Sequence, residues 1–147
     1  MRKLIPGRRA TCCAGLVAML SGAAAAPARP DEATPVLQCQ VRYMSNTTSI
    51  EASPTSNPYG VAAHDIGGRF RFKPVLVGDA GRLEYVALYA YDMDVPGAPV
   101  LIHEVVHKPP FAVDRPIPAL TGWNHVYSAR FGREMVYGCT LGTGSRH

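Results

Sequence analysis

The residues with the most evident chemical potential are His103, Glu104 and His107, which form a His-Glu-Val-Val-His sequence. On a helix, the two histidines of such an H-E-x-x-H motif lie one turn apart and can bind the same zinc ion. The glutamate then acts as general base on the zinc-bound water. The motif therefore makes Glu104 a candidate catalytic residue, and His103 and His107 candidate zinc ligands, of a metallohydrolase.

The residues around the motif predict a strand instead of that helix. The apolar stretch 100–107 contains four β-branched residues and lies between prolines, a composition typical of a short strand. On a strand, His103 and His107 would stand about 13 Å apart, and Glu104 would point to the opposite face. We therefore favour a non-enzymatic protein without a cofactor, and keep the zinc hydrolase as the alternative.

A second alternative is a small periplasmic metal carrier. Two histidines outside the motif, His64 and His125, could join His103 or His107 across neighbouring strands. Imidazole is a common ligand of zinc and copper. Histidines scattered over a β-protein are more often surface or core residues, so the carrier ranks below the non-enzymatic interpretation.

The amino-terminal segment predicts export from the cytoplasm. Residues 1–26 combine a basic start, an uncharged run rich in alanine and four consecutive alanines before Pro27, which is the pattern of a signal peptide. The uncharged run is too short to span about 30 Å of hydrocarbon, so we expect no stable membrane insertion. The alanine, arginine, glycine and proline usage is typical of a GC-rich bacterium, which favours the periplasm, with secretion as the other destination.

The net positive charge of the chain comes entirely from this segment. The sequence has 15 basic and 11 acidic residues, and four of the basic ones but none of the acidic ones lie in 1–26. The remainder is therefore neutral overall. A neutral domain gives no support for nucleic-acid binding.

The cysteines beyond residue 26 predict a disulfide bond. They are Cys39 and Cys139, near the two ends of the remaining chain, and a cysteine pair in a small exported domain is typically oxidised. The bond would close a loop of about 100 residues and stabilise the fold by on the order of 4–5 kcal/mol. The spacing of Tyr137 before Cys139 resembles the tyrosine corner of immunoglobulin domains.

The rest of the chain predicts an all-β fold. After a flexible lead-in at 27–35, the single domain at 36–147 shows alternation of apolar and polar residues and no helical period. Six clear strand patterns cover 37–43, 69–77, 83–92, 100–107, 125–129 and 134–141, and a weaker one covers 49–52. We expect a small antiparallel β-sandwich of six or seven strands, immunoglobulin-like or similar, with the disulfide joining the first and last strands across the core.

Two stripes of side chains accompany these strands. Tyr85, Tyr89 and Tyr91 share one face of the strand at 83–92 and form either a lining of the core or an aromatic platform for a sugar or a partner strand. A basic stripe on the strand at 69–77 is predicted to be its solvated face, with anion binding as the alternative. Its members are Arg69, Arg71 and Lys73.

These features together predict an exported binding or envelope-assembly module. The domain is small, neutral and loop-rich, with proline-containing loops expected at 45–67 and 109–123. Its expected partner is another envelope or secreted protein. For the hairpin between 83–92 and 100–107, pairing of Ala98 with Val95 would make His103 face Ala90 and His107 face Val86. A one-residue slip would instead align the histidines with the tyrosine stripe, and the sequence does not choose between the two registers.

Overall fold

Two β-sheets pack face to face, as the alternation predicts. The computed structural model describes residues 34–94 and 96–144, so the predicted signal peptide and residues 27–33 of the predicted lead-in lie outside the described residues. The strands are β1 (Thr34–Tyr43), β2 (Asn46–Ala52), β3 (Pro54–Thr55), β4 (His64–Ile66), β5 (Phe70–Gly78), β6 (Leu83–Asp92), β7 (Val100–His107), β8 (Asn124–Ser128) and β9 (Arg133–Gly144). The β-sandwich is confirmed. In the described ranges no helix is long and apolar enough to cross a membrane.

The sandwich has a four-stranded and a five-stranded sheet. The four-stranded sheet has the order β2-β1-β9-β8, and the five-stranded sheet has the order β3-β5-β6-β7 with β4 paired to β5. The neighbours are antiparallel except for the short β3–β5 pair. All seven strands expected from the sequence are present, which leaves the short β3 and β4 as additions.

The prediction of a loop at 45–67 was wrong. This segment contains β2, β3, β4 and a single 3-10 turn at Pro58–Gly60. β2 lies at the edge of the four-stranded sheet, and its side chains are exposed apart from Ile50 and the half-buried Ala52. A strand that buries so little can consist of Ser, Thr, Asn and Glu, which is the composition expected of a loop.

The predicted disulfide is present, but its placement in the fold differs from the expectation. Cys39 and Cys139 are bonded, lie directly opposite each other in the β1–β9 pair, and have Cα atoms 4.1 Å apart. The expectation of a bond across the core was wrong, because the first and last strands are neighbours in one sheet. Both cysteines are at most 1% exposed and face the core, as their positions in the alternation predict.

The core fills the space between the sheets with alternate residues from each long strand. On β6 the inward residues are Val86, Leu88 and Ala90, all fully buried, as the alternation predicts. The largest fully buried side chains of the core include Tyr137, Phe70, Phe72, Leu37, Leu76 and Met135. Burial of apolar area on this scale provides the main stabilisation of the sandwich.

The loop between β7 and β8 closes one side of the sandwich. β8 pairs with β9 only as far as Tyr137, and beyond that point the loop follows β9. The Asp114 N–H donates to the Leu141 carbonyl at 2.8 Å, and the Leu120 N–H donates to the Cys139 carbonyl at 3.0 Å. The loop therefore satisfies backbone groups of β9 that β8 does not reach.

Candidate functional site

The H-E-x-x-H residues lie in β7 and not on a helix. His103 pairs with Ala90 and His107 pairs with Val86, which is one of the two registers that the sequence left open. Because cross-strand partners share a face, both imidazoles face the interior and Glu104 faces outwards. Four residues along a strand span about 13 Å. The motif on β7 therefore does not bring its two histidines to one ion.

His64 and His125, the other histidines of the carrier hypothesis, lie apart from this strand. His64 begins β4 and is exposed, whereas His125 is on β8, where its Nδ1 pairs with the Glu134 carboxylate. Within residues 34–94 and 96–144, no three side chains of His, Cys, Asp or Glu form a group that could hold a metal ion.

His103 instead makes a hydrogen bond between the sheets. Its Nε2 lies 2.7 Å from the hydroxyl oxygen of Tyr137, which is on β9 in the opposite sheet and fully buried. Burial lowers the pKa of His103 and raises the pKa of Tyr137 well above its usual range. Both groups are thus neutral near pH 7, and a neutral phenol can donate to an unprotonated Nε2. A tyrosine corner would bond to nearby backbone, so the resemblance does not extend to this contact.

We expect the His103–Tyr137 bond to make the stability of the fold depend on pH. The lowered folded-state pKa means that the unfolded chain binds more protons. The stabilisation is therefore complete above the unfolded pKa of about 6.5, and it is lost as the pH falls below that value and through the lower folded-state pKa. We expect the free energy of unfolding, measured with urea, to fall between pH 7.5 and pH 5, and to fall less in His103→Gln. His64→Gln, an exposed control, should keep the wild-type loss. An unchanged loss in His103→Gln would contradict this role.

The predicted tyrosine stripe lies on the outer surface of the five-stranded sheet and does not line the main core. The inner face of β6 is already filled by its aliphatic residues, so the tyrosines face away from it. Tyr85 and Tyr89 pack on a small buried cluster formed by Val75, Val77 and Ala87. This cluster supports the aromatic rings from below and fixes their position on the sheet.

Neighbouring strands extend this surface on both sides. Tyr89 is flanked by Lys73 on β5 and Glu104 on β7, and Tyr91 is flanked by Arg71 and Leu101. We name the outer surface the tyrosine face. Its residues are Tyr59, Arg71, Lys73, Tyr85, Tyr89, Tyr91, Leu101, Glu104 and Val106.

The tyrosine face combines exposed apolar groups with charges of both signs. Tyr59 is 93% exposed, and Leu101 and Val106 are each 45% exposed. A shallow cleft of about 230 Å³ is lined by Tyr59, Pro58, Lys73 and the three β6 tyrosines. Burial, with the Glu104 carboxylate beside it, raises the pKa of Tyr89, so its hydroxyl keeps its proton at neutral pH. The face offers hydroxyl donors, one ammonium group and flat apolar rings.

Comparison with known proteins adds no relative. No family model matches the chain, no curated protein matches it, and no solved structure matches it.

Proposed function

We propose that this protein is an exported, non-enzymatic binding domain that holds another envelope or secreted protein on its tyrosine face. The proposal rests on one observation: apolar side chains are exposed beside the β6 tyrosines, namely those of Tyr59, Leu101 and Val106. Export is supported by the signal-peptide pattern at 1–26 and by the disulfide. The periplasm is the compartment we propose, on the composition of the sequence.

A protein partner suits the chemistry of this face. Tyrosine and arginine are enriched at protein interfaces, and tyrosine provides a large contact area with few rotatable bonds. Contiguous exposed apolar residues rimmed by polar groups are typical of such interfaces. Here Lys73 and Glu104 flank Tyr89 on either side and Arg71 flanks Tyr91, so the face offers charges of both signs to a partner.

The position of β7 adds a second feature that favours a protein. β7 ends the five-stranded sheet, and in the described part of the chain only β6 pairs with it. Unpaired backbone groups on an edge strand can accept a strand from another chain. A partner that covers the tyrosine face can therefore also form backbone hydrogen bonds with β7, at the margin of that face.

Substitution of Tyr89 or Tyr91 by serine tests the proposal. The domain is immobilised and exposed to the envelope and medium fractions of its native host, and the captured proteins are quantified by mass spectrometry. We expect a protein held by the wild type to bind each variant about tenfold to 100-fold more weakly, because an aromatic anchor at an interface contributes about 1.4–3 kcal/mol.

The matched control is Tyr127→Ser, a 59% exposed tyrosine on β8 of the other sheet. This variant should retain the partner. Capture that survives both Tyr89→Ser and Tyr91→Ser would exclude the tyrosine face as the binding surface. One equivalent of zinc in the purified domain, together with hydrolytic activity lost in Glu104→Gln, would favour the hydrolase instead.

A further inference from the structure

Three arginines converge at one end of the sandwich, away from the tyrosine face. They line an open cleft of about 680 Å³, which we name the arginine cleft. Arg42 comes from the end of β1, Arg69 precedes β5, and Arg133 begins β9. Glu134 also lines the cleft. Three arginines that are far apart in the sequence therefore line one concave surface.

Each of these arginines is held in place by a defined contact. Arg69 donates to Asp94 Oδ1 at 3.0 Å, and Arg133 pairs with Asp94 Oδ2 at 2.7 Å. The guanidinium carbon of Arg42 lies 4.1 Å from the centre of the Trp123 ring. Arginines that are fixed before a ligand arrives lose less conformational entropy on binding.

The Asp94 carboxylate is itself positioned from the core. Its side chain is 1% exposed, whereas the side chains of Arg69 and Arg133 are 50% and 31% exposed. The Asp94 N–H donates to Asp92 Oδ1 at 2.8 Å, and Asp92 Oδ2 accepts from the buried Ser128 hydroxyl at 2.7 Å. The carboxylate thus holds the two guanidinium groups from the inner side and leaves part of each exposed.

The charges around the cleft favour an anion. Arg69 and Arg133 share the buried Asp94 carboxylate, and Glu134 is the acidic residue in the cleft lining, so the three arginines exceed these two carboxylates by one positive charge. The rim carboxylate, Glu134, accepts from the Tyr127 hydroxyl at 2.7 Å and pairs with His125, contacts that lower the pKa of Glu134. Guanidinium groups bind phosphate oxygens in pairs with short, charge-assisted hydrogen bonds.

We propose that the arginine cleft binds a phosphate group carried by a larger ligand. A phosphate monoester is anionic at neutral pH and presents several acceptor oxygens, which suits the exposed parts of the Arg42, Arg69 and Arg133 side chains. The volume of about 680 Å³ leaves room beside the phosphate for the group to which it is attached. The site is separate from the tyrosine face, so it stands or falls independently of the proposed function.

Nuclear magnetic resonance of the arginine Nε–H groups tests this site. The disulfide-bonded domain is titrated at constant ionic strength with inorganic phosphate, glycerol phosphate and inorganic sulfate. We expect saturable shifts for Arg42, Arg69 and Arg133, with glycerol phosphate binding more tightly than sulfate. Arg42→Gln should weaken phosphate binding about tenfold, since it removes one charge-assisted contact.

Arg42→Gln is the informative variant because Arg42 makes no ion pair in the described structure that its loss would break. Arg82→Gln, at the exposed β5–β6 turn, is the control and should bind phosphate like the wild type. Shifts that do not saturate, or equal affinity in Arg42→Gln and wild type, would overturn the proposal. Phosphate binding should be unchanged in Tyr89→Ser, whatever that substitution does to partner binding.

Discussion

Replacing Cys39 and Cys139 together with alanine is expected to lower the free energy of unfolding by about 4–5 kcal/mol. The bond joins residues 100 positions apart, so in its absence the unfolded chain recovers the conformational entropy of a long closed loop. Total stabilities of small domains are only about 5–15 kcal/mol. The double variant should therefore be marginally folded at 25 °C, as measured by guanidinium unfolding monitored by circular dichroism.

The matched control for the disulfide is the wild type in the presence of a reductant. It should lose a similar amount of stability, whereas the alanine variant should not respond to the reductant. A non-reducing mass measurement on the wild type should show a chain two mass units lighter than its reduced form. Equal unfolding midpoints for wild type and double variant would contradict a stabilising role for the bond.

Gly78→Ala is expected to lower the free energy of unfolding by about 3 kcal/mol. Gly78 ends β5 at a register shift and has φ of 138°, which side chains rarely adopt. An added Cβ would lie 2.3 Å from the Arg82 carbonyl oxygen and 2.8 Å from the Leu83 Cα. Both contacts are with backbone, so the β5–β6 turn must move to accept the methyl group.

Gly81→Ala, in the same turn, separates this clash from a general effect of losing glycine. Its added Cβ would meet only the Asp79 carboxylate, at 3.6 Å, which is an ordinary contact distance. We expect Gly81→Ala to change stability by less than about 0.5 kcal/mol. Thermal unfolding of the two variants gives the comparison. A Gly78→Ala midpoint as high as that of Gly81→Ala would show that the turn absorbs the methyl group without strain.

The strands that bury one face could be predicted from the sequence, and those that bury little could not. β6 and β7 begin and end where the alternation places them, at Leu83–Asp92 and Val100–His107. Only residues 49–52 of β2 were predicted as a strand, because an edge strand needs few apolar residues. β3 and β4, with two and three residues, are too short for any period to be visible.

The cysteine pair could be identified from the sequence, but its placement in the fold could not. Alternation predicts that Cys39 and Cys139 both face the core, and both do. It does not specify whether two inward residues lie in one sheet or in opposite sheets, because that depends on which strands become neighbours. The same limit applies to Tyr137, whose hydroxyl contacts His103 in the opposite sheet.

Only part of the tyrosine face could be predicted from the sequence. The alternation of Tyr85, Tyr89 and Tyr91 places them on one face, but a β-bulge determines what lies beside them. The β6–β7 register passes from Ala90–His103 to Tyr91–Leu101 and skips Ile102. This extra residue turns Leu101 to the outer face, although it is an even number of residues from the inward His103.

No pattern in the sequence predicted the arginine cleft. Arg69 was expected on the solvated face of a strand with Arg71 and Lys73, yet it lies in the turn before β5 and pairs with Asp94. Its association with Arg42 and Arg133 depends on which turns meet at the end of the sandwich. Which turns lie next to each other depends on how the two sheets pack, and not on the amino-acid composition of each turn.

The pairing of β1 with β9 has a consequence for the order of folding. β1 occupies an interior position of its sheet, yet its second neighbour is the last strand described, and the two are matched from Thr34–Gly144 to Tyr43–Met135. A chain that emerges from its amino-terminal end can form the β1–β2 hairpin early, but its sheet stays incomplete until β9 is available. Contacts of such long sequence separation slow folding. The four-stranded sheet can therefore close only after β9 has paired with β1.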